Sequence, residues 1–287
     1  MITYITMEKD YKFKYENLVD DKERALYGAH DAFIHNCRFE GEADGESCLK
    51  ETKDLYIKDC FFGLRYPLWH NENSVIENCV MPETCRAALW YDNDITLKNI
   101  KCDGIKAIRE CSNVNVYDGY FNSPEFCWLS NNLTFEKVKV VSEYPFFTIK
   151  NATFKNLEMK GKYSFQYAEN VTIEDSVLDT KDAFWHSKNV TVKNSVVKGE
   201  YLAWYSDGLT LINCKIIGTQ PLCYANNLKL IDCETEGCDL SFENSVVDAK
   251  IRGYIESVKN PIGKIVADKI GEVIIDEYAR GSCKIFD

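Results

Sequence analysis

All five tryptophans of this 287-residue chain occupy one position of a repeating sequence pattern, and the position after it carries side chains suited to proton transfer. In successive repeats the first position reads Trp69, Trp90, Arg109, Trp128, Phe147, Gln166, Trp185, Trp204 and Cys223. The next position reads His70, Tyr91, Glu110, Leu129, Thr148, Tyr167, His186, Tyr205 and Tyr224. Exposed aromatic rings bind the apolar faces of sugars or a partner protein. Histidine, tyrosine and glutamate side chains act as general acids and bases.

The chemistry open to these two positions depends on which of them faces solvent. If the first faces outward, the candidate ligand-binding residues are Trp69, Trp90, Arg109, Trp128, Trp185 and Trp204. If it faces inward, the candidate catalytic residues are the outward His70, Tyr91, Glu110, His186 and Tyr205. These would transfer protons on an acidic sugar, and Arg109 would neutralise its carboxylate, although Arg109 then points to the other side. Large aromatic residues repeated in register are more often core than site, which favours packing.

Both positions belong to a repeat in which two Asn or Asp residues flank alternating apolar residues. Clear copies are NVTIEDS at residues 170–176, NVTVKNS at 189–195 and NLKLIDC at 227–233. The second polar position recurs every 19 residues in seven successive steps from Asn99 to Asp232. Asn and Asp tolerate left-handed backbone and bond neighbouring groups, so they suit the corners of a coil. The equal steps predict a solenoid in which each repeat forms one turn.

The apolar alternation between the polar corners predicts short strands with one buried face. We expect an all-β fold, a single-stranded parallel β-helix of about 12 coils of 19 residues with three short strands per turn. A leucine-rich repeat fits less well. Its pattern places two residues between the second strand leucine and the following asparagine, where this chain has one, and it adds a helical segment. One domain is expected over residues 1–287, with an N-terminal cap at 1–30, coils at 31–245 and C-terminal cap strands at 246–287. We expect a short helix at residues 15–29 and a strand at 263–276.

The NVTIEDS-type repeat resembles the right-handed parallel β-helix of the pectin-lyase-like superfamily. The whole chain resembles an uncharacterised bacterial family of single-domain β-helix proteins. The superfamily implies activity on polysaccharides, but the N-T-D, G-H-G and R-I-K motifs of polygalacturonase-like enzymes and the D-P-H motif of alginate epimerase-like proteins are absent. The one D-D pair, Asp20 and Asp21, lies in the predicted N-terminal cap. A hydrogenase label carried by some relatives gains no support, because the chain has no C-x-x-C spacing for metal ligation.

Composition argues against several classes of function. The formal charge of −11 and the pI of about 5.0 argue against nucleic-acid binding, which needs a basic surface. No apolar run approaches the ~20 residues that cross a bilayer, and the first residues lack a signal-peptide pattern, so we expect a cytoplasmic protein without membrane contact. We expect the 13 cysteines to be reduced, and neither a metal nor a cofactor is predicted. Five of them follow a polar corner and are expected in the core: Cys37, Cys60, Cys79, Cys214 and Cys233.

Three functions remain open at this point. The first is binding of a carbohydrate or other polar ligand along one face of the β-helix. The second is a glycan-active lyase or hydrolase that uses the His, Tyr and Glu residues. The third is a structural or self-associating protein-interaction scaffold, which forms a homo-oligomer through the aromatic stripe. An outward polar cluster in a groove favours a site, and a flat outward tryptophan stripe favours a partner.

Overall fold

The chain folds as a parallel β-solenoid of about 14 turns of about 19 residues. The computed structural model describes residues 9–287, and within that range it contains strands and turns but no helix. None of these residues therefore forms a helix long and apolar enough to cross a membrane. The chain divides into two compact units, unit 1 (Met1–Ser142) and unit 2 (Glu143–Asp287). Each is described by itself.

Each full turn of unit 1 has three sides. The first side is formed by the strands Phe13–Glu16, His30–His35, Lys53–Lys58, Glu72–Glu77, Asn93–Lys98, Ser112–Tyr117 and Asn131–Glu136. The second side is formed by Arg38–Phe39, Phe61–Phe62, Val80–Met81, Lys101–Cys102, Tyr120–Asn122 and Lys139–Glu143. The third side is formed by the two-residue strands Leu49–Lys50, Leu68–Trp69, Leu89–Trp90 and Ile108–Arg109.

The strands of unit 1 form because alternate residues enter the core. In Asn93–Lys98, Ile95 and Leu97 are fully buried while Thr96 and Lys98 point outward. Ile95 lies beside Val114 of the next turn in a parallel pair, so apolar residues stack on apolar residues along the core. Parallel pairing saturates the backbone hydrogen bonds between turns. The 19-residue period therefore repeats the same buried positions in each turn.

The turns of unit 2 keep the first two sides. The first side is formed by Lys150–Lys155, Glu169–Glu174, Lys188–Lys193 and Thr210–Ile212, and the second by Glu158–Lys162, Val177–Lys181, Val196–Lys198 and Lys215–Ile217. Towards the C-terminus come the strands Leu228–Glu236, Val246–Lys259, Ile262–Ile274 and Cys283–Phe286, of which the first three are longer.

The third side of unit 2 differs from the expected strand. In the turns from Tyr144 to Glu243, no residue of this side is assigned to a strand, so the expectation of three strands in every turn is wrong for these turns. The side becomes strand again only in the last turns, where Val258 of Val246–Lys259 pairs with Ser241. Instead, alternate residues adopt left-handed backbone, as at Tyr163, Phe165 and Tyr167, with φ of 56°, 57° and 56°. A strand needs negative φ throughout, so this segment bends tightly instead of extending. Its amides still bond to the neighbouring turns, because Tyr163 N donates to Lys181 O and Phe165 N to Pro145 O.

Asn and Asp side chains at the corners bond from turn to turn. In unit 1, Asn99 Nδ2 donates to Asn78 Oδ1 at 2.9 Å, and Asn78 Nδ2 donates to Asp59 Oδ1 at 3.0 Å. In unit 2, Asn189 Nδ2 donates to Asn170 Oδ1 at 2.7 Å. All five residues have positive φ, which asparagine and aspartate adopt at lower cost than other non-glycine residues. The corner residues thus bend the chain and hold successive turns together.

The strands continue beyond the predicted coil range at both ends. The helix expected at residues 15–29 is wrong: Phe13–Glu16 is a strand that pairs in parallel with His30–His35. Asn17 has a φ of 56° and accepts a hydrogen bond from Asn36, so it is a corner of one more turn. The strand expected at residues 263–276 is confirmed as Ile262–Ile274, which pairs with Val246–Lys259. These additional turns raise the number from the expected 12 to about 14.

We expect a native-state thiol reagent to label one cysteine. All cysteines except Cys283 are buried, and no disulfide is present among them. Burial raises the pKa of the Cys102 and Cys223 thiols to about 12, so these groups stay in the unreactive protonated form. Iodoacetamide labelling followed by mass spectrometry should find Cys283 modified in the folded protein and every thiol modified in urea. Labelling of several thiols in the folded state would contradict the buried placement.

Candidate functional site

The tryptophan position lies on the outside of the coils. The position before it fills the core, because Leu68, Leu89 and Phe165 are buried. The tryptophans themselves are half-buried, and the position after them is mostly exposed. Both outward positions therefore lie on the same surface, so the expectation that the tryptophans are core residues, opposite the His and Tyr side chains, is wrong. The physical reason is a left-handed residue directly after the tryptophan, such as His70 with a φ of 58°, which turns the chain so that two successive side chains face outward.

In unit 1, this surface brings together the side chains of three turns, and we name it the N-terminal aromatic face: Trp69, His70, Trp90, Tyr91, Arg109 and Glu110. The rings of Trp69 and Trp90 stack with centroids 5.3 Å apart, and the Lys50 ammonium lies 3.7 Å from the centroid of Trp69. Arg109 lies 5.4 Å from the centroid of Trp128. The predicted binding residues of unit 1 are thus neighbours on one surface.

The predicted catalytic residues of unit 1 also meet, but their interactions oppose proton abstraction. The His70 and Tyr91 rings lie 5.3 Å apart. A hydrogen bond to Glu110 raises the pKa of the Tyr91 hydroxyl, whereas a tyrosine base needs a lowered pKa. Arg109 is engaged by Glu110 at 3.4 Å and by Glu125 at 3.5 Å, so its charge is already balanced. This arrangement suits hydrogen bonding to a ligand better than lyase chemistry.

In unit 2, a row of stacked Tyr and His rings lies next to a stacked pair of tryptophans. We name this surface the C-terminal aromatic face: Tyr167, Trp185, His186, Trp204, Tyr205 and Tyr224. His186 stacks between Tyr167 at 5.0 Å and Tyr205 at 5.2 Å, with interplanar angles of 8° and 10°. Tyr224 continues the stack at 5.3 Å from Tyr205. Tyr167 and Tyr205 are 49% and 50% exposed, which is high for aromatic rings that pack against neighbours. The predicted residues His186 and Tyr205 therefore belong to a continuous exposed row.

The two tryptophans of unit 2 lie next to this row, and Trp204 makes edge contacts with Tyr205 and Tyr224. Trp185 and Trp204 stack at 5.5 Å with an interplanar angle of 7°. Trp185 Nε1 donates to Tyr201 O at 2.6 Å, and Trp204 Nε1 donates to Gln220 O at 3.0 Å. Each indole is thereby fixed to the backbone of the next turn. The corresponding Nε1 atoms of Trp69 and Trp90 in unit 1 are buried and have no hydrogen-bond partner among the described residues.

The geometry of the stack decides what the C-terminal aromatic face can bind. Parallel rings at about 5 Å cover one another's faces, so their edges and polar tips point outward. A sugar is therefore not expected to stack on a free ring face in the middle of the row. Tyrosine hydroxyls and the His186 imidazole instead offer hydrogen-bond donors and acceptors at the regular spacing of the turns.

Sequence reasoning missed a third set of residues. Tyr11, Phe33, His35 and Tyr56 line a cavity on the outer surface of the first-side strands of unit 1. One signal could have revealed them, since Phe33 and Tyr56 are aromatic at an outward position of successive strands and are paired in register. Tyr11 lies before the recognised repeat, and His35 had no repeated partner, so neither was singled out. Among residues 9–287, no cluster of His, Cys, Asp and Glu side chains is placed to hold a metal ion.

The strand pairing and the exposed aromatic rows define the protein as a parallel β-helix that carries polar aromatic surfaces on its third side. The chain belongs to the DUF3737 family, whose description is "protein of unknown function" and whose model matches residues 13–286. None of the curated proteins matches the chain.

Solved structures of other β-solenoids are similar to the chain at low sequence identity. The mannuronan C-5 epimerase AlgE6 A-module of Azotobacter vinelandii has a TM-score of 0.38 and 10% identity, over 95% of this chain and 87% of that one. A tailspike protein mutant of E. coli bacteriophage HK620, solved with a hexasaccharide, has a TM-score of 0.41 and 9% identity, over 95% and 68%. PfbA, a surface adhesin of Streptococcus pneumoniae, has a TM-score of 0.33 and 9% identity, over 96% and 82%. At these TM-scores and identities, the similarity assigns neither a ligand nor a reaction to this chain.

Proposed function

We propose that the protein binds a linear carbohydrate along the C-terminal aromatic face. The observation that carries the proposal is the continuous stack of Tyr167, His186, Tyr205 and Tyr224, with one ring per turn and the hydrogen-bonding edges outward. A row of similar groups at a fixed spacing matches a ligand that is itself a repeat of similar units. An irregular protein surface has no such period to match.

The chemistry of the face fits a hydroxyl-rich ligand. Tyrosine hydroxyls and imidazole nitrogens both donate and accept hydrogen bonds, as sugar hydroxyls do. The ring edges supply apolar contact to the C–H groups of the sugar. Stacking holds the Tyr and His rings in place, and hydrogen bonds to the backbone hold the two neighbouring indoles. Little side-chain entropy is therefore lost on binding. The site is therefore preorganised for an extended ligand.

The length dependence of binding tests this proposal. Tryptophan fluorescence titrations with cello-oligosaccharides and oligogalacturonates of increasing length should give an affinity that rises with length until the row is covered. Each added unit meets a further turn with the same donors and acceptors. An affinity that does not change with length would contradict a periodic site. Concentration-dependent self-association that buries Tyr205 in the absence of sugar would contradict a carbohydrate as the occupant.

We expect Tyr205→Ala to weaken binding of the best oligosaccharide about tenfold, which corresponds to about 1.4 kcal/mol. Tyr205 lies inside the stack, so its removal deletes a hydroxyl and the ring that lies between His186 and Tyr224. The matched control is Tyr278→Ala, which removes an exposed tyrosine that is not part of the stack. The proposal requires the first variant to lose affinity and the second to keep it, with both retaining the thermal stability of a folded chain.

A further inference from the structure

A cavity of about 450 Å³ lies in unit 1, apart from the N-terminal aromatic face. Its volume falls within the range of small-molecule sites. Its apolar wall is formed by Tyr11, Phe33 and Tyr56, whose ring centroids lie between 5.4 and 6.4 Å apart. The cavity is thus large enough for one small molecule and carries a flat aromatic surface.

The hydroxyl of Tyr11 is a hydrogen-bond donor that no residue from 9 to 287 uses. Tyr11 is 5% exposed and lines the cavity, and its Oη atom has no hydrogen-bond partner among the described residues. A buried hydroxyl without a hydrogen-bond partner carries a free-energy cost, because it has given up its hydrogen bonds to water. Burial raises the pKa of Tyr11 to about 12, so the group remains protonated at neutral pH. A ligand atom that accepts a hydrogen bond would remove this cost.

The charged groups around the cavity differ in how far they are already paired. His35 lies between the carboxylates of Glu16 at 3.5 Å and Asp59 at 3.3 Å, so both carboxylates face the imidazole. Lys9 pairs with Asp31 at 2.8 Å and Lys58 pairs with Glu77 at 3.1 Å.

Lys14 is the least engaged of these cations. Within the described part of the chain it pairs only with Asp10, at 3.6 Å, and the Asp10 side chain is 97% exposed. Such exposed pairs contribute little, because water and salt screen them. The ammonium of Lys14 therefore remains available to an anion in a protein whose formal charge is −11. Among the described lining residues, the cavity thus combines the Lys14 ammonium, the Tyr11 hydroxyl and an aromatic wall.

We propose that this cavity binds a small carboxylate with a flat apolar body. The carboxylate accepts hydrogen bonds from Tyr11 Oη and Lys14 Nζ, and the flat body packs against Phe33 and Tyr56. Charge-assisted hydrogen bonds of this kind are among the strongest that a side chain makes. A neutral sugar fits less well. The carboxylates of Glu16 and Asp59 would accept hydrogen bonds from its hydroxyls, but both face His35. The site is independent of the carbohydrate row in unit 2.

Binding of benzoate to the full chain, measured by isothermal titration calorimetry, tests the proposal. Saturable binding is expected, and benzyl alcohol, which has the same ring without the charge, should bind at least tenfold more weakly. Lys14→Gln should weaken benzoate binding about tenfold, and Tyr11→Phe should weaken it about threefold or more. Lys12→Gln and Tyr27→Phe are the matched controls outside the cavity and should leave the affinity unchanged. Tyr11→Phe should keep its melting temperature, because the deleted hydroxyl bonds to none of the described residues.

Three results would overturn the proposal. No saturable binding of benzoate would remove the site altogether. Equal affinities for benzoate and benzyl alcohol, or no effect of Lys14→Gln, would show that charge is not recognised. Binding of glucuronate as tight as that of benzoate would show that the cavity selects a hydroxylated body instead of a flat apolar one.

Discussion

Replacing Phe165 by alanine is expected to lower the free energy of unfolding by about 3–5 kcal/mol. Phe165 is fully buried in unit 2 and stacks between Phe146 at 4.8 Å and Phe184 at 5.3 Å. It also meets the edge of Phe154 at 5.2 Å. Removing the ring deletes its contacts with all three neighbours and leaves a cavity that the rigid turns fill only in part. Urea unfolding followed by circular dichroism measures the effect.

A suitable control for Phe165→Ala is Phe286→Ala in the same unit. Phe286 is 53% exposed and packs against the Lys264 ammonium, so its loss should cost less than about 1 kcal/mol. A loss at Phe165 no larger than the loss at Phe286 would show that the third side of unit 2 has no packed aromatic core. Alanine is the appropriate replacement because φ at this position is 57°, where glycine would also relieve backbone strain.

The second large effect concerns Asp92, a carboxyl buried in unit 1. It is 1% exposed, and burial raises its pKa well above the usual 3.8. One carboxyl oxygen accepts the backbone N–H of Asn71 at 2.7 Å, whereas the other oxygen has no partner among the described residues. The side-chain oxygen of Asn71 has no partner either. Protonation removes the charge from this buried carboxyl and turns its unpartnered oxygen into a hydrogen-bond donor.

The pH dependence follows from the raised pKa of Asp92. Below the unfolded value of about 3.8, the carboxyl is protonated in both states and its full contribution to stability is present. As the pH rises towards the raised folded pKa, the folded state must hold a proton that the unfolded chain has released. Stability then falls by about 1.4 kcal/mol per pH unit. The folded protein should therefore lose stability through this group as the pH rises from about 4 towards the raised pKa of Asp92.

Asp92→Asn should remove this component of the pH dependence. The amide is neutral at every pH and offers both an acceptor and a donor in the place of the protonated carboxyl. We expect the variant to match the wild type near pH 4 and to become progressively more stable than the wild type as the pH rises towards the raised pKa of Asp92. Asp94→Asn, at an exposed corner of the same turn, is the control and should leave the pH dependence unchanged. A variant destabilised equally at both pH values would contradict a protonated Asp92.

The period of the solenoid could be predicted because polar and apolar residue types recur at a fixed spacing along the chain. Corner residues such as Asn99 and Asp118 are recognisable by type, and their 19-residue spacing fixes which residues are neighbours in adjacent turns. The first turn was missed because its strand Phe13–Glu16 has no buried residue, so the apolar alternation is absent there. Only Asn17, 19 residues before Asn36, marked the corner.

The direction of the aromatic side chains could not be predicted, because it depends on the sign of φ. His70 and Tyr167 adopt left-handed backbone, which residue type does not favour. The same residues with negative φ would form a strand that places the tryptophan and its successor on opposite faces. The cavity that contains Tyr11 was equally hidden, because it depends on residues that precede the repeat and fold against its outer surface.

Footprinting with hydroxyl radicals in the presence of the best-binding polysaccharide is the most direct test of carbohydrate recognition by the C-terminal aromatic face. We expect the polysaccharide to protect Tyr167, His186 and Tyr205 together, because they form one stacked row. Tyr278, which is 68% exposed and outside the row, should be oxidised equally with and without polysaccharide. Protection at Tyr278 or elsewhere, with the three row residues oxidised as in the free protein, would contradict the proposed function.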